Sequence, residues 1–310
     1  MPTSTPMLPS AGPVPDAASR TGLEAAAMTL MANGMPGTAE PLFARLAASA
    51  PDAAMWSGRA MLARETWRAD AIAREAVVPG FVPVPSAQRR ADGAPRFVLL
   101  VDEARLATPE GASRFVSELN GSGVDAELRH YLDAALDDEN GFIDWTPGEG
   151  YAVLAASTAP KAPAAVVACA TASHRVGLQR SLALAEAEHR VTVRQAETAS
   201  LDAIAADVSA PMLHVRAGTA ADVPALMATG RDAVHAGRIA SVLWSVPPAT
   251  GLSGTAEQVA ATVLSVLGFA HFTVVAGPDG AELALFDGAP SGQTLVVSLS
   301  PAYLAAHGAA

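Results

Sequence analysis

The chain has 310 residues, half of them apolar, with alanine abundant, aromatics few and a formal net charge of −11. That length holds one large domain or two ordinary ones around a sizeable core. The acidic balance disfavours a general nucleic-acid binder, whose phosphate contacts need a basic surface, and equally an anionic membrane surface. Cys169 is the single cysteine, which excludes an intrachain disulfide and a cysteine cluster for a metal. No run approaches the roughly 18–20 apolar residues of a membrane span. The first residues, Met1-Pro2-Thr3-Ser4, carry no basic region followed by an apolar run. A soluble, cytoplasmic protein without a bound metal is expected.

Residues 1–18 are dense in proline with Ser and Thr, and read as a disordered tail. Residues 19–78 read as helical. Leu23, Ala26, Ala27 and Leu30 recur at helical spacing until Gly34 and Pro36. A second helix is expected from about Thr38 to Ala48, and a third and fourth over about 54–64 and 68–77. Gly34, Ala39, Phe43 and Pro51 sit as in a tetratricopeptide repeat, which this segment resembles; an ordinary pair of helical hairpins accounts for it equally. Such a short array is expected to bury its apolar face on the next domain or on another subunit. Residues 79–95, with Pro79, Gly80, Pro83, Pro85 and Gly93, read as a linker.

From residue 96 to 305 strands and helices alternate. Phe97–Val101 is a predicted strand, and Thr108-Pro109-Glu110 is a helix start with a capping hydroxyl and an early proline. A helix over about 125–136 places Leu128, Leu132 and Leu136 on one stripe. Strands are expected at 142–144, 165–169, 191–193, 212–215 and 239–244, with helices at 173–187, 221–235 and 255–267, and a short one beginning at 200–202, between or after them. Three closing strands, at 271–275, 281–286 and 294–298, lack helices between them and predict an antiparallel edge.

The most informative stretch is Phe142-Ile143-Asp144-Trp145-Thr146-Pro147-Gly148-Glu149-Gly150-Tyr151. Strand, glycine turn and helix form the nucleotide-cradling opening of a doubly wound sheet. One glycine expected in such a turn is absent, and Thr146 and Pro147 occupy its centre.

Residues from about 96 to 304 resemble the FkbM-type family of S-adenosylmethionine-dependent methyltransferases. The likeness is carried by Glu127-Leu128-Arg129-His130-Tyr131-Leu132 before a charged turn, by Gly148-Glu149-Gly150-Tyr151, by Ser200-Leu201-Asp202, by Leu213-His214-Val215-Arg216 and by Leu267-Gly268-Phe269. It implies an α/β fold: a doubly wound, mostly parallel, Rossmann-like methyltransferase sheet after the N-terminal α-helical segment. It also implies Asp144, Gly148, Glu149, Gly150 and Asp202 as cofactor-binding positions, and assigns no catalytic residue.

The departures from that pattern are physical. Where the family carries a ribose-binding carboxylate, this chain has Ala170 or Thr171. A hydrogen bond to a charged group is worth about 1.5–3 kcal/mol. Thr146 stands for a glycine, Arg216 for an aspartate and Gly218 for a glutamate. A guanidinium in place of a carboxylate repels a sulfonium instead of attracting it. The other candidates have bland readings. Asp144 either touches a ligand or caps the Gly148 and Gly150 N–H groups. His214 reads as a core histidine, Cys169 as an inert core thiol, and His174, Arg175 and Arg180 as solvated.

Two functions follow. One is a non-catalytic structural or protein-interaction module on a degenerate methyltransferase-like fold, with no cofactor and with a protein partner or self-association. The other is an S-adenosylmethionine-dependent O-methyltransferase, with a glycan hydroxyl among its acceptors.

Overall fold

The computed structural model describes residues 17–32, 36–49, 53–73, 81–86, 88, 90, 95–102, 124–246, 255–277, 280–286 and 294–307. The helix expected over 108–120, and all but the end of the 1–18 tail, lie outside them. Three helices come first: α1 (Ala17–Ala32), α2 (Pro36–Ser49) and α3 (Ala53–Ala73). They share a small core in which Ala27, Ala39, Ala60 and Ala63 let the backbones approach, while Phe43 stacks on Trp56 at 6.1 Å between ring centroids. The expected third and fourth helices are one helix, because Glu65-Thr66-Trp67 between them contains neither glycine nor proline to break it. Leu62 packs on the main core, and Met31 packs against both cores.

The stretch read as a linker contains a strand. β1 (Phe81–Pro85) pairs antiparallel with β2 (Val98–Asp102). Two prolines are tolerated there because a two-stranded sheet is all edge.

The main sheet is built from β3 (Asn140–Asp144), β4 (Ala165–Ala170), β5 (Val191–Gln195), β6 (Met212–Thr219), β7 (Ile239–Val246), β8 (Ala270–Gly277), β9 (Gly280–Leu285) and β10 (Thr294–Leu299). Their spatial order is β5-β4-β3-β6-β7-β10-β8-β9. β5 to β7 along that order are parallel, β10 is antiparallel to both neighbours, and β9 closes an antiparallel hairpin at the edge. The fold is thus the expected doubly wound, mostly parallel, Rossmann-like sheet with an antiparallel end. Alternate residues feed opposite cores, which is why the strands read as unbroken apolar runs. Phe142, Ala168 and Leu243 face α4 (Val124–Ala135), α5 (Tyr151–Ser157) and α6 (Ala172–Leu184). Ile143, Val167 and Trp244 face α7 (Leu201–Asp207), α8 (Val223–Ala228), α9 (Arg231–His235) and α10 (Thr255–Val266).

The helix expected over 221–235 is split into α8 and α9 at Thr229-Gly230. Gly230 lies against Leu201, and a Cβ there would come within 2.4 Å of Leu201 Cδ2. α6 stops at Leu184, short of the expected 187, and Val176 on it is 49% exposed. A last helix, α11 (Pro301–Ala306), was not expected; Ser300 Oγ caps it by accepting from Tyr303 N at 3.2 Å.

His214 is the core histidine the sequence suggested. It is fully buried on β6, with Nδ1 at 3.1 Å from Tyr131 Oη and 2.9 Å from Ser241 Oγ, and its ring meets Tyr303 edge-on. Burial holds its imidazole down at about 4 against an ordinary 6.5; Asp137 pushes it up and His307 pushes it down.

Two outcomes are expected. Ala168→Asp puts an unpaired charge between β3 and β5 and should cost at least about 3 kcal/mol in urea unfolding; a near-parental midpoint would move β4 out of the centre. His214 adds a pH dependence. Above 6.5 neither state is charged, whereas between 6.5 and about 4 the unfolded chain takes up a proton that the native one refuses. Stability should therefore fall as pH drops through that window, by an amount on the order of 3 kcal/mol. His214→Gln should flatten this slope; an unchanged slope would contradict the neutral burial.

Candidate functional site

The strand order reverses between β3 and β6. The chain steps from β3 out to β4 and β5, returns to β6, and continues the other way to β7. In open α/β sheets ligands bind beyond the carboxyl ends of the strands at such a reversal. Asp144 ends β3, and its register partner on β6 is Arg216. Arg216 Nη1 donates to Asp144 Oδ1 at 2.9 Å and to the Thr146 carbonyl oxygen at 3.0 Å. The Asp144 side chain is 0% exposed and that of Arg216 11%. Sequence reasoning treated the two residues separately. Here they form an ion pair across the switch point, with the Asp144 carboxylate engaged by the Arg216 side chain.

The turn after β3 is held by main-chain contacts as well. Trp145 N donates to Arg216 O at 2.9 Å, and Thr146 Oγ1 donates to Ala217 O at 2.6 Å. Gly148 and Gly150 have φ of 54° and 96°, a region that glycine enters without penalty. Gly150 N donates to Pro147 O at 2.7 Å, closing the turn before α5. A Cβ on Gly150 would lie 2.3 Å from Leu178 Cδ1, so α6 packs directly on the turn. At Gly218, with φ of 87°, a Cβ would lie 2.0 Å from Thr146 Oγ1. Thr146 and Gly218 are therefore complementary: the hydroxyl on one strand end fits the space that the absent side chain leaves on the other.

The structure brings Asp144, Gly148, Glu149 and Gly150 together at the end of β3, with Glu149 half-buried in the turn. It sets Asp202 apart. Asp202 Oδ1 accepts from Ala233 N at 2.8 Å and anchors the first turn of α9. On the other flank Ala170 ends β4, fully buried, and offers no polar side chain. Thr171 Oγ1 lies 3.0 Å from Ser173 Oγ and 2.9 Å from His174 Nδ1, so His174 is half-buried and engaged instead of solvated. Burial, with the charge of Asp144, pushes the Cys169 thiol up to about 12; it stays protonated at neutral pH and is no nucleophile. Among the described residues no three His, Cys, Asp or Glu side chains converge as a metal site, and no helix is long and apolar enough to cross a membrane.

Gly218→Ala should destabilise the protein by about 2 kcal/mol or more, from positive φ and the clash with Thr146. Thr146→Gly in the same chain should remove the clash, so that the pair costs less than the sum of the single changes. Strict additivity would show that the two residues do not touch.

No family model and no curated protein matches this sequence. Solved structures show a likeness over part of the chain. An M. jannaschii TYW2 in complex with AdoMet is 13% identical, with 72% of this chain and 86% of that chain covered and a TM-score of 0.41. A putative rRNA-methylase from Clostridium thermocellum is 13% identical over 57% and 96%, with a TM-score of 0.40. The M1A22 tRNA methyltransferase TrmK of B. subtilis is 11% identical over 60% and 70%, with a TM-score of 0.39. At such values these likenesses assign no substrate and no activity to this chain.

Proposed function

We propose that this chain is a non-catalytic structural or protein-interaction module on a methyltransferase-like scaffold. The observation that carries the reading is the Arg216–Asp144 pair. It places the chain's own cation in the crevice where such a sheet takes its ligand. The cofactor that the resemblance implies, S-adenosylmethionine, fits these residues poorly. Arg216 takes up the Asp144 carboxylate that a cationic ligand would need, Thr146 fills the turn against Gly218, and Ala170 has no acceptor for a ribose hydroxyl. Each effect is modest, but a few kcal/mol acting on one ligand move a micromolar site towards the millimolar range. An interaction role is supported by the helical layer, where Met28, Met55 and Met61 are 38%, 41% and 43% exposed. Methionine suits adaptable contact surfaces. A protein is the preferred partner for a chain of net charge −11.

A second reading is an active S-adenosylmethionine-dependent O-methyltransferase of the FkbM type. The positive φ of Gly148 and Gly150 favours it, because the glycine turn of a cofactor-binding opening is kept.

Isothermal titration with S-adenosylmethionine and with its demethylated product separates the two. Absent or millimolar binding is expected, and micromolar binding of either compound would replace the first reading with the second. In the triple variant Thr146→Gly, Ala170→Glu, Arg216→Asp, measurable affinity should return. A folded triple variant that stays silent would mean that these residues do not line a cofactor position.

A further inference from the structure

Building on the reading that this end of the sheet is closed by the chain itself, we infer that Arg216 acts as a tethered ligand. Its guanidinium occupies, in cis, a subsite for an N–H-bearing cation, a guanidinium or primary ammonium group, formed by Asp144 Oδ1 and the Thr146 carbonyl oxygen. Both acceptors belong to β3 and the turn after it, whereas the cation is delivered from β6. The receptor does not need the Arg216 side chain to keep its shape. Trp145 N and Thr146 Oγ1 hold the turn through the main-chain oxygens of Arg216 and Ala217, which a side-chain truncation leaves in place.

The subsite is buried, with the Asp144 side chain at 0% exposure and that of Arg216 at 11%. Removing the guanidinium takes from Asp144 Oδ1 and the Thr146 carbonyl oxygen the donor they share, and a soluble cation of the same kind can take that place. The two bonds made by one nitrogen define the chemistry. A replacement must carry positive charge and at least two N–H donors directed at a carboxylate and a carbonyl. A sulfonium or quaternary ammonium has the charge but no donors. The same feature gives the crevice a rule of entry: a partner side chain or small molecule displaces Arg216 only by offering an N–H cation of its own.

The test is chemical rescue of full-length Arg216→Ala, read by thermal unfolding. The midpoint should fall relative to the parent. Guanidinium chloride at low-millimolar concentration should raise it again, saturably, while equal concentrations of potassium chloride or tetramethylammonium chloride should not. Asp144→Asn/Arg216→Ala should show no such rise. If Arg216→Ala does not fold, Arg216→Met keeps the buried stem and is measured in the same way. If neither folds, refolding yield with and without guanidinium is the readout. No gain over potassium chloride, or an equal gain in the Asp144→Asn double variant, overturns the inference. Failure here is distinct from failure of the functional reading, which is decided by cofactor titration of the unaltered protein: rescue can succeed in a chain that binds cofactor, and can fail in one that does not.

Discussion

A carboxylate buried at the end of a central strand cannot remain ionised without a partner. Asp144 is such a group, and Arg216 supplies the compensation from the adjacent strand at 2.9 Å. The pairing is possible because β3 and β6 are parallel and in register, which brings residues 72 positions apart in the chain side by side. The consequences spread outward. The guanidinium also holds the Thr146 carbonyl, Thr146 then reaches Ala217, and the close fit of Thr146 leaves room only for glycine at position 218. Ion pair and turn thus meet at one place, and the turn is held by main-chain oxygens of β6 as well as by the guanidinium. A buried pair is weak evidence of added stability, since desolvation offsets much of its attraction, but breaking it is costly.

Arginine has a different task elsewhere in the chain. Arg96 donates to the Ala155 and Thr158 carbonyls at the end of α5 and also meets Gln88 and Asp133. Arg190 donates to Ser157 O at 3.2 Å, and Arg238 to the carbonyls of Ala205, Val208 and Ala210 around the end of α7. The last carbonyls of a helix lack intrahelical partners and carry partial negative charge, so a guanidinium fork satisfies several of them at once. In short helices such as α5 and α7, of seven residues each, this termination is a large share of the local hydrogen bonding.

The N-terminal layers are coupled to the switch point through α6. Phe81 on β1 lies against Gly177, Leu100 N on β2 donates to Ser181 Oγ, and Leu178 between them packs on Gly150. The small β1–β2 sheet thus presses α6 onto the glycine turn. Glycine at 150 answers two demands at once, a positive φ and the absence of a Cβ where Leu178 sits. Both are internal to the protein, so a glycine in such a turn does not by itself signal a bound nucleotide.

The sequence by itself determined the alternation of strands and helices from β3 onward, the antiparallel end, the break before Pro36 and the core position of His214. These depend on short-range physics: apolar runs long enough for doubly covered strands, helical periodicity, and glycine or proline as stops. It could also flag Thr146, Ala170, Arg216 and Gly218 as a set of unusual residues. Only the tertiary structure decided what that set does. Whether Arg216 repels a ligand or neutralises Asp144 depends on the register of two strands that are distant in sequence, and side-chain type carries no record of register. The same holds for β1, whose prolines argued for a linker until β2 gave it a partner, and for Gly230 between α8 and α9, which lies against Leu201 of another helix. Asp202 was legible as an acid at a helix start, but its partner Ala233 lies 31 residues away and became visible only when α7 and α9 were brought together.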